Sequence, residues 1–141
     1  MELVQLCYVS SINLKDLHLV AEFKQAMRRA MTFFSEQHIH GVSFYANEYF
    51  LHCFEGDAKS IDLIYQHILN HQDQHCRFCF LNTIDEFHFA AWQMKYVDRN
   101  GLVSIFCKKC GLNHFKPMSL TDQQIIELMQ ILSARTTVKQ N

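Results

Sequence analysis

The chain has 141 residues, of which 49% are hydrophobic, and its 13 Lys+Arg against 14 Asp+Glu give a formal net charge of −1. This content suffices for one globular domain with its own core, which excludes collagen-like and disordered chains. A near-neutral chain without a Lys/Arg run also lacks the clustered positive charge that nucleic acids and anionic membranes select. We therefore expect neither a nucleic-acid nor a membrane partner.

The N-terminus and the cysteines indicate the compartment. The first residues, MELVQLCYVS, lack the positive flank and apolar block of a secretory signal, so we expect a cytoplasmic protein with six reduced thiols. Two pairs have two-residue gaps, Cys76/Cys79 and Cys107/Cys110. The first pair lies in a strand-like run, where residues three apart point to opposite faces. Packed or surface thiols are therefore favoured over a zinc site.

The first half of the chain predicts two strand-helix units. Residues 4–10 form a strand that is apolar on both faces, as expected of a strand between two layers. Apolar residues at helical spacing predict a long helix over residues 16–37. Two aromatic and β-branched runs, 39–45 and 49–54, predict a hairpin whose second arm ends at Gly56-Asp57. A second helical stripe covers residues 58–71.

The second half completes the fold. Residues 76–82 and 92–97 are predicted strands, which gives the order βαββαβ plus an extra strand, an α+β ferredoxin-like sandwich. The tail is predicted to be helical over 102–110, broken at Pro117, and helical again after capping residues 119–122. This amphipathic tail would pack on the second sheet face.

Histidines supply few chemical candidates. His67, His71 and His75 follow one another at four-residue steps, a spacing that suits a metal or a solvated helix face, and we favour the solvated face. His38 and His40 alternate and are predicted to share a strand face. The chain contains no GxSxG, P-loop or GxGxxG sequence. Nothing in the chain indicates an enzyme.

Four motifs together carry a family resemblance. They are Tyr8-x-Ser10, Ile39-x-Gly41, Phe50-x-x-x-Phe54-Glu55-Gly56 and Phe89-x-x-Trp92-x-Met94-x-Tyr96. In order and spacing they resemble the BLUF family of blue-light sensors that use flavin, over about residues 2–98. The resemblance divides the chain into a BLUF-like domain, 1–98, and a C-terminal helical extension, 99–141, of the same globular unit. The tail is similar to those of short stand-alone members, which act through partner proteins.

The resemblance implies a flavin, FAD or FMN, between the two helices on one sheet face, with a Tyr, a Gln and an Asn as its hydrogen-bond switch. The positions implied for the flavin site are Tyr8, Ser10, Phe34, His52, Phe87, Trp92 and Met94. Tyr8 matches the family Tyr. His52 stands at the Gln position, Phe34 at the Asn position, and Phe87 at the position of an Arg.

These departures predict a chain without bound cofactor. Each buried flavin group left without a partner costs about 1–3 kcal/mol, and about 1.4 kcal/mol is a tenfold loss of affinity. Phe34 offers no such partner, and an imidazole at position 52 does not reproduce the rearrangement of an amide. We expect Phe34 and Phe87 to extend the core into the flavin space.

Three functional hypotheses follow. The leading one is a non-enzymatic BLUF-like signalling or adaptor domain, with its flavin site and photocycle lost or impaired, that binds a protein such as a transcriptional regulator or another signalling protein. Exposed aromatic residues near the tail also make self-association plausible. The second is an active photoreceptor with an altered His52 switch. The third is a metal- or redox-responsive regulator using His67/His71 or Cys107/Cys110.

Overall fold

In the computed structural model of the chain, residues 2–70 and 75–140 are described, with residues 134–140 through their backbone alone. The elements are β1 Leu3–Ser11, α1 Leu17–Glu36, β2 His40–Ala46, β3 Tyr49–Asp57, α2 Ala58–Asn70, β4 His75–Ile84, β5 Gln93–Tyr96, α3 Leu102–Lys109, a 3-10 turn Pro117–Ser119, and α4 Asp122–Gln140. Within this described part, no helix is both long and apolar enough to cross a bilayer.

The five strands form one mixed sheet in the order β4-β1-β3-β2-β5. All neighbouring pairs are antiparallel except β2 and β5, which run parallel. The first six elements have the βαββαβ order, and β5 adds an edge strand to β2. The predicted α+β ferredoxin-like sandwich is confirmed.

The sheet divides the core into two layers, one of apolar side chains on each face. On one face, α1 and α2 pack over alternate residues of β1, in a cluster that contains Val4, Leu6, Tyr8, Phe34, Ile61 and Ile64. On the other face, Val103 of α3 and Ile125 and Leu128 of α4 belong to one cluster with the sheet residues Cys7, Val9 and Leu51. The first strand is therefore buried on both sides and the tail covers the second face, as the pattern predicts.

Local hydrogen bonds set both ends of α1. Asp16 is the N-cap, and its Oδ1 accepts from the backbone N–H groups of His18 at 3.1 Å and Leu19 at 3.2 Å. At the other end His38 is left-handed with φ 54°, and the N–H of Ile39 donates to the carbonyl of Phe34 at 2.9 Å. These bonds form a Schellman-type termination.

Several predicted positions differ from the structure. The prediction that His38 and His40 share a strand face is wrong, because His38 lies in the turn that ends α1 and β2 begins at His40. His75 begins β4 rather than continuing the helix face of His67. His71, the partner predicted for His67, lies outside the described residues. The predicted end of β3 at Gly56-Asp57, by contrast, is confirmed, since the strand ends at Asp57.

Two sequence details have clear structural roles. Gly41 has φ +132°, and a Cβ there would lie 2.0 Å from the carbonyl oxygen of Cys53 on β3, so only glycine fits. Cys76 and Cys79 pack in different core layers, which confirms that their side chains point to opposite faces. All six cysteines are free thiols.

Candidate ligand cavity between α1 and α2

A row of side chains crosses the sheet beneath the two helices. In register from one edge strand to the other, the row consists of Phe78, Tyr8, His52, Ser43 and Met94. The Tyr8 and His52 rings stack with centroids 4.5 Å apart. Two of the predicted site positions are thus direct neighbours at the centre of the sheet.

His52 belongs to a short hydrogen-bond relay. The indole Nε1 of Trp92 donates to the hydroxyl oxygen of Ser43 at 2.9 Å, and that hydroxyl lies 2.8 Å from Nδ1 of His52. An indole N–H can only donate, so the Ser43 hydroxyl hydrogen is free to be donated to Nδ1. The relay is complete when His52 is neutral with its proton on Nε2.

Burial keeps His52 and Tyr8 uncharged. His52 is 5% exposed, and burial lowers its pKa from 6.5 to about 3. Burial also raises the pKa of Tyr8 well above its ordinary value of 10, with smaller contributions from the charges of Cys76 and Cys7. Both rings are therefore neutral at pH 7, and the floor of the site carries no charge.

Phe34 of α1 packs against the sheet at one end of the space between α1 and α2. It is the one buried residue of α1. Its ring centroid lies 4.9 Å from that of Phe54 and 4.8 Å from that of Trp92. Contacts at these distances are those of an ordinary aromatic cluster. The prediction that Phe34 extends the core is confirmed.

An open cavity of about 410 Å³ remains between α1 and α2. Its sheet side is formed by Tyr8, His52, Phe54, Phe34 and Trp92, and its helical walls by residues such as Leu19, Phe23, Met27, Ala30, Ile64 and Ile68. Glu22, Arg29 and His67 are its other polar lining residues. The expectation that the core fills the cleft is therefore wrong, since Phe34 occupies only one end of it.

The remaining predicted positions lie apart from the cavity. Phe87 is 37% exposed and stacks on His40 with centroids 3.7 Å apart, so the prediction that it extends the core is wrong. Met94 belongs to the sheet row but does not line the cavity. Ser10 is buried, and its hydroxyl oxygen has no hydrogen-bond partner among the described residues. The structure thus brings together Tyr8, Phe34, His52 and Trp92.

The roles of Ser43 and Glu55 were not predicted from sequence, although Glu55 belongs to one of the four motifs. Ser43 is the link between His52 and Trp92, and its only signal is a hydroxyl inside an apolar strand. Glu55 is fully buried, and one of its oxygens accepts from the backbone N–H groups of His88 at 2.9 Å and Phe89 at 3.0 Å. Its other oxygen accepts from Gln5 Nε2 at 2.7 Å and His88 Nδ1 at 3.0 Å. Glu55 therefore ties the β4–β5 connection to the sheet.

The candidate metal and redox positions do not form a metal-binding group within the described part of the chain. Among residues 2–70 and the described residues from 75 onward, no group of three or more His, Cys, Asp or Glu side chains could hold a metal ion. Cys107 is buried beneath the tail, and burial raises its pKa. Its predicted partner Cys110 is half-buried at the end of α3.

Comparisons with known proteins agree with this architecture. A profile of the BLUF family, described as sensors of blue light using FAD, matches residues 3–95. The ground-state structure of BlsA is 30% identical with a TM-score of 0.76, covering 93% of this chain and 87% of that chain. The dark-state structure of the BLUF protein BlrB is 25% identical with a TM-score of 0.66, covering 95% of this chain and 97% of that chain. A bacterial light-regulated adenylyl cyclase, 18% identical with a TM-score of 0.55, shares the fold, covering 98% of this chain and 36% of that chain. No curated protein sequence gives a significant match.

Proposed function

The chain belongs to the BLUF family, and we propose that it is a non-enzymatic signalling or adaptor domain that works in the cytoplasm by binding another protein, without a working flavin switch. The observation that carries this proposal is the burial of Phe34 against Phe54 and Trp92. Its ring stands where the family resemblance expects an amide side chain facing the flavin.

The polar groups of the cavity do not suit a flavin. The pyrimidine edge of a flavin presents carbonyl oxygens and an N–H, which need partners once buried. The Phe34 side chain has no polar atom, and Nδ1 of His52 is already engaged by Ser43, so the Nε2 proton is the one donor that His52 can offer. Phe87, at the family's Arg position, stacks on His40 outside the cavity. A flavin placed there would leave buried groups unpaired.

A neutral imidazole is also a poor substitute for the switch. In the family resemblance, an amide exchanges its donor and acceptor ends between the flavin and the Tyr. His52 stacks face to face on Tyr8 rather than pointing at it. Its relay through Ser43 and Trp92 holds the ring in one orientation. These contacts favour a fixed core residue over a moving one.

Exposed apolar side chains favour action through a protein partner. Tyr96 on β5 is 64% exposed, Ile105 on α3 is 43% exposed, and Ile131 on α4 is 41% exposed. Aromatic side chains such as Tyr96 are enriched at protein interfaces. These three side chains are accessible to a transcriptional regulator, another signalling protein or a second copy of the chain.

Restoring the two amides tests the loss of the flavin site. We expect the double variant Phe34→Asn/His52→Gln to bind FAD at least about tenfold more tightly than the natural chain, because two buried partners of about 1–3 kcal/mol each return. The matched control is Phe87→Asn/His40→Gln, which makes the same two chemical changes in a stacked pair outside the cavity. Equal FAD affinity in both double variants would contradict the proposal.

A further inference from the structure

The cavity between α1 and α2 has the character of a binding site for an apolar molecule. α1 presents Leu19, Phe23, Met27 and Ala30 to it, yet Phe34 is the one residue of this helix that is buried. Phe23 contacts the ring of Phe50 and Ala30 packs against the core, but the side chains of this helix face are only partly buried. Apolar surface left against water is costly. A volume of about 410 Å³ lies in the range of small-molecule sites.

Charge is confined to the rim. Glu22 lies 3.0 Å from Nε2 of His18, one turn earlier on α1. Arg29, two turns further along α1, makes no ion pair with any described residue and is exposed to solvent. A guanidinium is permanently charged. The cavity therefore combines an uncharged interior with an available cation at its edge.

We propose that this cavity binds a single-chain aliphatic carboxylate, of the fatty-acid class. The hydrocarbon chain lies between α1 and α2 over the Tyr8 and Phe34 rings, and the carboxylate lies against Arg29. This inference rests on the proposed function, because it requires that a flavin not occupy the same volume. No covalent step is involved.

The hydrocarbon length and the carboxylate of the ligand should each change the measured affinity by a different amount. Burial of one more methylene contributes about 0.8 kcal/mol, which raises the affinity about fourfold until the cavity is full. An ion pair at an exposed rim is worth about fivefold at most. Affinity should thus depend strongly on chain length and modestly on the carboxylate.

Trp92 makes the test direct, because it is the single Trp of the chain and it lines the cavity. Titration of the full chain with 12-bromododecanoate should quench its fluorescence in a saturable way, since bromine quenches on contact. Unbrominated dodecanoate should compete, and octanoate should compete more than tenfold less well. The absence of saturable quenching would overturn the inference.

Matched variants locate the ligand. Ala30→Phe places a ring in the cavity and should weaken dodecanoate binding at least about tenfold, whereas Ala21→Phe, on the exposed side of the same helix, should not. Arg29→Gln should weaken dodecanoate up to about fivefold without affecting dodecanol, and Arg28→Gln, which does not line the cavity, should affect neither. Equal behaviour within either pair would overturn the placement.

Two further arms separate the possible failures. If FAD binds stoichiometrically and displaces dodecanoate, the proposed function fails together with the inference. If neither FAD nor dodecanoate binds, the inference fails and the proposed function stands. Vesicles of phosphatidylglycerol should not quench or shift Trp92 if the ligand is a free carboxylate, and a response to vesicles alone would assign the site to membrane lipid and overturn the inference.

Discussion

Acid should destabilise the folded chain through His52. The side chain is 5% exposed, stacks on Tyr8, and accepts the hydroxyl hydrogen of Ser43 in its neutral form. Protonation would place a charge in this aromatic layer and would reverse the hydrogen bond between Nδ1 and the Ser43 hydroxyl, which already accepts from Trp92. The folded state therefore resists binding the proton that the unfolded chain takes up freely.

The sign and size of this pH effect on stability follow from the pKa of His52 in the unfolded and in the folded chain. The pKa of His52 is lowered from 6.5 to about 3, so between these values the unfolded chain binds more protons than the folded one. The stabilisation is fully present above pH 6.5 and is lost as the pH falls, by about 1.4 kcal/mol per pH unit. Between pH 6.5 and pH 4.5 the loss amounts to about 2 kcal/mol.

Urea unfolding at a series of pH values measures this contribution. The natural chain is compared with His52→Gln, which does not titrate, so that every other titrating group cancels in the difference. The free-energy difference between the two should change by about 2 kcal/mol from pH 6.5 to pH 4.5, in favour of the variant. His52→Phe serves as a second reference should His52→Gln fold poorly. A difference that is constant over this range would refute the reasoning.

Three further predictions concern the rest of the fold. Glu55→Gln should lower the urea-unfolding free energy by about 2–4 kcal/mol, since two of the four donors to the buried carboxylate would face an NH₂ group; a change under 1 kcal/mol would contradict its role. Gly41→Ala should lower the melting temperature far more than Gly111→Ala, because an added Cβ meets a carbonyl at 2.0 Å in the first case and nothing within 4 Å in the second. Iodoacetamide should alkylate Cys79 before Cys76, as followed by mass spectrometry. A hydrogen bond from the buried thiol of Cys7 lowers the pKa of Cys79, whereas burial raises the pKa of Cys76 to about 11. Alkylation in the reverse order would contradict this prediction.

The periodic part of the fold was predictable from sequence. Alternation in β1 determines which side chains face each layer, and an apolar pattern on both faces requires a covering layer that α3 and α4 provide. The capping residue Asp16 marks the start of α1. The end of α1 was harder, because a His in the left-handed position of a Schellman turn carries little sequence signal.

The site was only partly predictable. Family spacing identified Tyr8, Phe34, His52 and Trp92, and these four do line one cavity. It failed for Phe87, because the β4–β5 connection is oriented by the Glu55 carboxylate and places that ring on His40 instead. The resemblance implied a ligand space between the two helices, and a cavity lies there. That it stays open beside Phe34 was not predictable, since its width depends on the distance between α1 and the sheet and not on the local pattern.

An absorption spectrum tests the central claim most directly. The natural chain is purified without added flavin, then incubated with excess FAD and separated from free FAD by gel filtration. If the flavin site is lost as proposed, the protein fraction should show no visible flavin band in either case. A stoichiometric flavin band that shifts reversibly to the red under blue light would contradict it, and would assign to His52 the switching role that the relay through Ser43 and Trp92 argues against.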